Sequence, residues 1–138
     1  MTDPRRSPHT HRRRFPGTFE QVSAARRFIA AHLNGCPRLD DVLLMIGEIA
    51  ANAVEHTDTG NNGSFEVTLL HDATGWLRIE VRDDGSPVRP QICPLGHVED
   101  RESGYGLQIV DTLSDNWGHK DELRGHFVFF EVAWDSET

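Results

Sequence analysis

Two rhythms of apolar and polar positions run along the chain, one repeating every three to four residues and one every second residue. They mark helices and strands respectively. Leu39, Val42, Leu43, Ile46, Ile49, Ala50 and Ala53 form the clearest three-to-four stripe, which predicts an amphipathic helix over about residues 40–57. Upstream, Val22, Ala25, Phe28, Ile29 and Leu33 predict a first helix from Glu20, ending near Asn34-Gly35, with Pro37 separating the two. A short strand over residues 12–15 precedes it and meets Pro16-Gly17.

Past a loop-forming stretch at 57–63, the period changes to two. Phe65, Val67 and Leu69 alternate with Glu66 and Thr68; after Asp72-Ala73-Thr74-Gly75, Leu77, Ile79 and Val81 alternate with Arg78, Glu80 and Arg82. This is the pattern of a β-hairpin with one covered and one wet face. Residues 88–103, with Pro90, Pro94 and Gly96, show no period, and a segment of that length in a compact domain reads as a functional lid. Leu107, Ile109, Val110 and Leu113 predict a third helix reaching about Asn116. A strand from Trp117 to about residue 123, a turn at Arg124-Gly125 and a last strand over 127–134 follow. Val128, Phe130, Val132 and Trp134 share one face of that strand, and its aromatic residues read as core.

Three polar clusters stand out against this pattern. Glu48 and Asn52 are one helical turn apart, about 40° around the axis, and both project away from the apolar stripe. A carboxylate and an amide stacked in this way suit a general base and a hard-cation ligand, although taken alone such a pair is more often just the solvated face of a surface helix. Asp83 continues the parity of Leu77, Ile79 and Val81, so its carboxylate points to the covered face, where it needs donors. The exocyclic amine of a purine is one such donor. The other reading is an Asp-Asp-Gly-Ser-Pro turn whose Asp caps the backbone. Gly104-Tyr105-Gly106 opens the third helix, where bare N–H groups suit phosphate; a flexible turn is the plainer account.

Composition narrows the class without choosing the chemistry. The 138 residues suffice for one domain, 26% charged and 37% hydrophobic, as in a soluble globular protein. Net charge is −8, and Arg5, Arg6, Arg12, Arg13 and Arg14 crowd the start, so the body beyond is acidic and argues against direct nucleic-acid binding. Residues 1–11 read as a disordered arginine-rich arm, 12–134 as the folded domain and 135–138 as a frayed tail. Cys36 and Cys93 are far apart and suggest neither zinc nor a disulfide framework. The eight histidines include no pair at ligand spacing within a predicted helix, so no histidine metal site is expected. Without an apolar run of membrane-spanning length or a signal sequence, a cytoplasmic protein is expected.

Taken in order, the clusters resemble the boxes of the GHKL superfamily of ATP-binding domains, which includes histidine kinases and gyrase. Gly-Glu-Ile-Ala-Ala-Asn-Ala-Val-Glu-His-Thr (47–57) is similar to its N box, Asp83-Asp84-Gly85 to its G1 box and Gly104-Tyr105-Gly106-Leu107-Gln108-Ile109-Val110-Asp111 to its G2 box. Each box is weak by itself, but three in this order are specific. Within the superfamily the chain most resembles anti-sigma-factor serine/threonine kinases and small actinomycete ATP-binding regulators. The resemblance implies an α/β (α+β sandwich) domain of the Bergerat type, with helices on one face of a mixed, mostly antiparallel sheet. It further implies ATP and Mg²⁺ as cofactors, with Asn52 as metal ligand and Glu48 as catalytic base. Asp83 would hold the adenine amine, Gly85 would let the base approach, and Gly104, Gly106 and Leu107 would line the phosphate side. The implied partners are a sigma factor and a small anti-sigma antagonist protein, with a homodimer as the usual assembly. Two departures favour an alternative, a regulatory binder with weak or no kinase activity. Pro87 stands where the family often has glycine, and Gly125-His126 where it often has Gly-Thr, so a hydroxyl is missing.

Overall fold

The computed structural model describes residues 8–56, 63–84, 107–122 and 125–135. Gly85, Pro87, Gly104, Gly106, Cys93, the 57–62 stretch, the expected lid and most of the arginine-rich arm lie outside the described residues. The elements in chain order are β1 (His9–Pro16), α1 (Glu20–His32), α2 (Leu39–His56), β2 (Ser64–Asp72), β3 (Trp76–Asp83), α3 (107–113), β4 (Asn116–Glu122) and β5 (Gly125–Ala133).

The strands form one sheet in the order β1-β2-β3-β5-β4. All four pairings are antiparallel, so the parallel pairing that a mixed sheet would contain does not occur among the described strands. The β2–β3 hairpin closes as its sequence predicts. Asp72 Oδ1 accepts from the Thr74 backbone N–H at 2.9 Å and from its hydroxyl at 2.6 Å, and Gly75 takes the positive φ of 95° that the turn demands.

The helices pack on one face. α2 lies over β3 and β5, and α1 lies beside it, nearest β1. Asp40 and Asp41 in the first turn of α2 complement the positive end of its dipole. Its buried face comprises Val42, Met45, Ile46, Ile49, Ala50, Ala53 and Val54. Leu39 and Leu43, expected within the stripe, sit at its margin, whereas Met45 and Val54 are buried. The helix touches both the sheet and α1, so its covered arc is wider than a single stripe and centred differently. From the sheet, Phe65, Val67, Leu69, Leu77, Ile79, Val81, Phe130 and Val132 meet this face, and Phe15 of β1 stacks on Phe65 with ring centroids 5.4 Å apart.

β1 begins three residues before the expected Arg12 and pairs with all of β2 but its last residue, His9 with His71 through to Pro16 with Ser64. Its side chains are mostly polar, so hydrophobic period could not reveal it; the backbone ladder to β2 holds it in place. The aromatics of β5 divide between the two faces. Phe130 is buried, but Phe127 and Phe129 lie on the uncovered face beneath the guanidinium groups of Arg82 and Arg78, 4.8 and 3.8 Å from the ring centres. The expectation that all of them are core is corrected for those two, because strand pleat sends alternate residues to opposite sides. Arg78 also donates to Glu80 and Glu131 at 2.8 Å each, which satisfies the charge on that face.

One side chain ties the helix layer to the sheet edge. Arg38, just before α2, donates from Nη2 to the Leu113 carbonyl at 2.7 Å, from Nη1 to the Ala133 carbonyl at 3.3 Å, and from Nε to Asp41 at 3.2 Å. It therefore satisfies a carbonyl at the end of α3, which an α-helix leaves without an intrahelical donor. Trp117 adds a second tie, its indole N–H donating to Asp111 at 2.8 Å.

Candidate functional site

A pocket opens where the C-terminal half of α2 faces the ends of β3 and β5. Ile49, Asn52 and Ala53 line it from α2, and Val81 and Asp83 from β3. Leu107 contributes from α3, His119 and Lys120 from β4, and His126, Phe127 and Val128 from β5. The empty space at this place, its solvent-open mouth included, is about 470 Å³. Apolar walls with a few convergent polar groups are the usual make-up of a small-molecule site.

Asp83 is the buried polar group of this pocket. It is 4% exposed, at the end of a strand whose inward residues are otherwise apolar. Its Oδ1 accepts from the His126 backbone N–H at 3.1 Å, and His126 Nδ1 lies 3.5 Å from the same oxygen. β5 reaches this position because its first residue, Gly125, has φ of 153° and no side chain; a Cβ there would run into the Asp83 carbonyl. The carboxylate is thus fixed from the sheet side, as a buried carboxylate requires.

The sequence-derived candidates separate into three groups. Asn52, Asp83 and Leu107 line one pocket although 31 and 24 positions separate them in turn. Glu48 is half-buried one turn before Asn52 and is not among the lining residues. Gly85, Gly104 and Gly106 lie outside the described residues. The sequence reading did not place His119, Lys120 or Phe127 at the site. His126 entered it only as a missing hydroxyl, whereas its backbone anchors Asp83 and its ring lines the cavity. No pattern in β4 marks His119 and Lys120, since they reach the pocket only through the pairing of β4 with β5.

An antiparallel sheet covered on one face by helices is the architecture of the histidine kinase type of α/β sandwich. The chain belongs to the histidine kinase-like ATPase domain family, whose model matches residues 15–126. ATP binding is what that domain implies for this chain. Among similar proteins are the sensor histidine kinase DcuS of Escherichia coli strain K12 and its Shigella flexneri counterpart. Each is 31% identical over 108 residues that cover 70% of this chain. The chain spans about a fifth of the length of those relatives, 19%. Its fold is also that of the histidine kinase domain from the Erythrobacter litoralis EL346 blue-light activated histidine kinase. That match has TM-score 0.54 and 18% identity, covering 83% of this chain and 58% of the other. No helix among the described residues is long and apolar enough to cross a membrane.

Proposed function

We propose that the chain is an ATP- and Mg²⁺-dependent serine/threonine protein kinase that regulates transcription by partner switching, holding a sigma factor and phosphorylating a small antagonist protein. The observation that carries the nucleotide part is the convergence of Asn52, Asp83 and Leu107 on one apolar-walled pocket. The residues present fit the ligand. Ile49 and Ala53 of α2 and Val81 and Val128 of the sheet would supply apolar walls for a planar base, and the buried Asp83 carboxylate would accept from its exocyclic amine. Asn52 supplies the neutral oxygen that Mg²⁺ takes readily. The metal, when bound, neutralises charge on the phosphates.

In this reading Glu48 takes the proton of the attacking serine or threonine hydroxyl. The hydroxyl oxygen bonds to the γ-phosphorus, the bond from that phosphorus to the β–γ bridging oxygen breaks, and ADP leaves with the electron pair. Little covalent work falls to the protein, so positioning supplies most of the rate.

A second reading, a binding module without transfer activity, is favoured by two observations: Glu48 does not line the pocket, and His126 stands where a hydroxyl is expected. Calorimetry with Mg-ATP, followed by incubation with labelled ATP and the antagonist captured from the native cell, decides between them. ATP binding with label transfer that is lost in Glu48→Gln supports the kinase. ATP binding without transfer by the wild-type chain leaves the binding module.

A further inference from the structure

Outside the nucleotide pocket, the far end of the helix-covered face carries four imidazoles. His9 and His11 are two apart on β1, so strand pleat points both to the same side, and His71 on the adjacent β2 directly opposes His9. His11 Nε2 and His71 Nε2 are 3.2 Å apart, with ring centroids at 5.3 Å. His32, at the end of α1, stacks on His11 at 3.7 Å and 19°, and Phe28 meets His32 edge-on at 5.2 Å, so the His11 ring is held from behind.

We propose that His11 and His71, completed by His9, form a binding site for a borderline divalent transition-metal ion of the zinc class, which clips the edge strand β1 to β2. The spacing is the first argument. Two imidazole nitrogens each about 2.0–2.1 Å from a tetrahedral ion lie about 3.3 Å apart, close to the separation seen. Such a pair otherwise shares the Nε2 proton of one ring in a hydrogen bond. On metal binding that proton moves to Nδ1 of the same ring, which leaves both Nε2 lone pairs for the ion. Orientation is the second argument: the His32 ring stacked on His11 holds that imidazole with its Nε2 facing His71.

Among the described residues no three His, Cys, Asp or Glu side chains already stand as a ligand set. Two rings are posed, and exposed His9, with its ring centroid 5.5 Å from that of His71, would turn towards the ion as the third ligand, with water completing the shell. Three histidines and a water is a known zinc arrangement. His32 supports the His11 ring and is not a ligand.

The test uses the full chain without an affinity tag, titrated with Co²⁺ and followed by visible absorption, then with Zn²⁺ by calorimetry and thermal melting. Saturable one-to-one binding, the absorption bands of a low-coordinate cobalt centre and a rise in melting temperature with Zn²⁺ are expected. His11→Ala and His71→Ala should each weaken binding by about tenfold or more, while His126→Gln in the nucleotide pocket leaves it unchanged. Circular dichroism checks each variant; if His71→Ala fails to fold, His11→Ala on the edge strand carries the comparison. Absence of saturable binding to the folded wild-type chain overturns the proposal. So does affinity unaffected by His11→Ala, or affinity lost in His126→Gln. None of these results depends on ATP binding, so the site stands or falls apart from the proposed kinase activity.

Discussion

The backbone N–H of His126 donates to the Oδ1 of Asp83 at 3.1 Å, joining the second residue of β5 to the last residue of β3 at the pocket. That bond helps to fix the carboxylate through the start of β5. Two consequences follow, one for ligand binding and one for folding. Asp83→Asn keeps an oxygen for the His126 N–H but replaces a charged acceptor by a neutral amide at the base-binding position. Mg-ATP affinity should fall by about tenfold or more in calorimetry with the melting temperature little changed, since a charge-assisted hydrogen bond contributes about 1.5–3 kcal/mol. Equal affinity in the two proteins would remove Asp83 from the nucleotide site.

Gly125→Ala tests the close approach itself. The added methyl group meets the Asp83 carbonyl, and the residue's φ of 153° is unfavourable for a side chain. The substitution should destabilise the chain by about 1–3 kcal/mol in urea unfolding. It should also weaken ATP binding, because β5 can relieve the clash only by withdrawing from Asp83. A variant as stable as wild type would mean that the two strands are not held this closely.

Arg38→Ala removes donors from the carbonyls of Leu113 and Ala133 and the partner of Asp41. A loss of about 1–3 kcal/mol is expected, mostly from the partly buried carbonyl at the end of α3. Faster amide exchange across residues 107–113 would show that the helix bearing Leu107 has been loosened. If exchange there is unchanged, Arg38 is not what holds α3.

Acid should weaken the fold near the four histidines. His11 and His71 have folded pKa values below the imidazole value of about 6.5, first through burial and then through neighbouring histidines; for His71, Asp72 opposes the shift. Above that value both states are neutral and nothing is lost. As pH falls through it, the unfolded chain binds protons more readily, so stability declines until the folded pKa is passed. The melting temperature in chelator-treated buffer should therefore drop between pH 7.5 and 5.5. The drop should be smaller in a His11→Gln, His71→Gln double variant, which removes both groups. Identical drops in the two proteins would assign the acid sensitivity to carboxylates elsewhere.

Much of this molecule is written in local pattern. Two amphipathic helices, a β-hairpin with its Asp72–Gly75 turn and the inward aim of Asp83 all follow from periods of 3.6 and 2, because each depends on a residue and its near neighbours in the chain. The order of polar clusters along the chain also sufficed for the family, which the match over residues 15–126 supports. What the pattern could not carry was anything fixed by pairing between distant segments. β1 is longer than expected because β2 templates it, despite its polar side chains. Phe127 and Phe129 face outward because β5 has two sides. His119, Lys120 and His126 enter the pocket, and four histidines gather at the opposite end, only because the strands stack in the order β1-β2-β3-β5-β4. Periodicity gives each side chain a direction, but only strand register across the sheet gives it neighbours, and the chemistry of a site depends on neighbours.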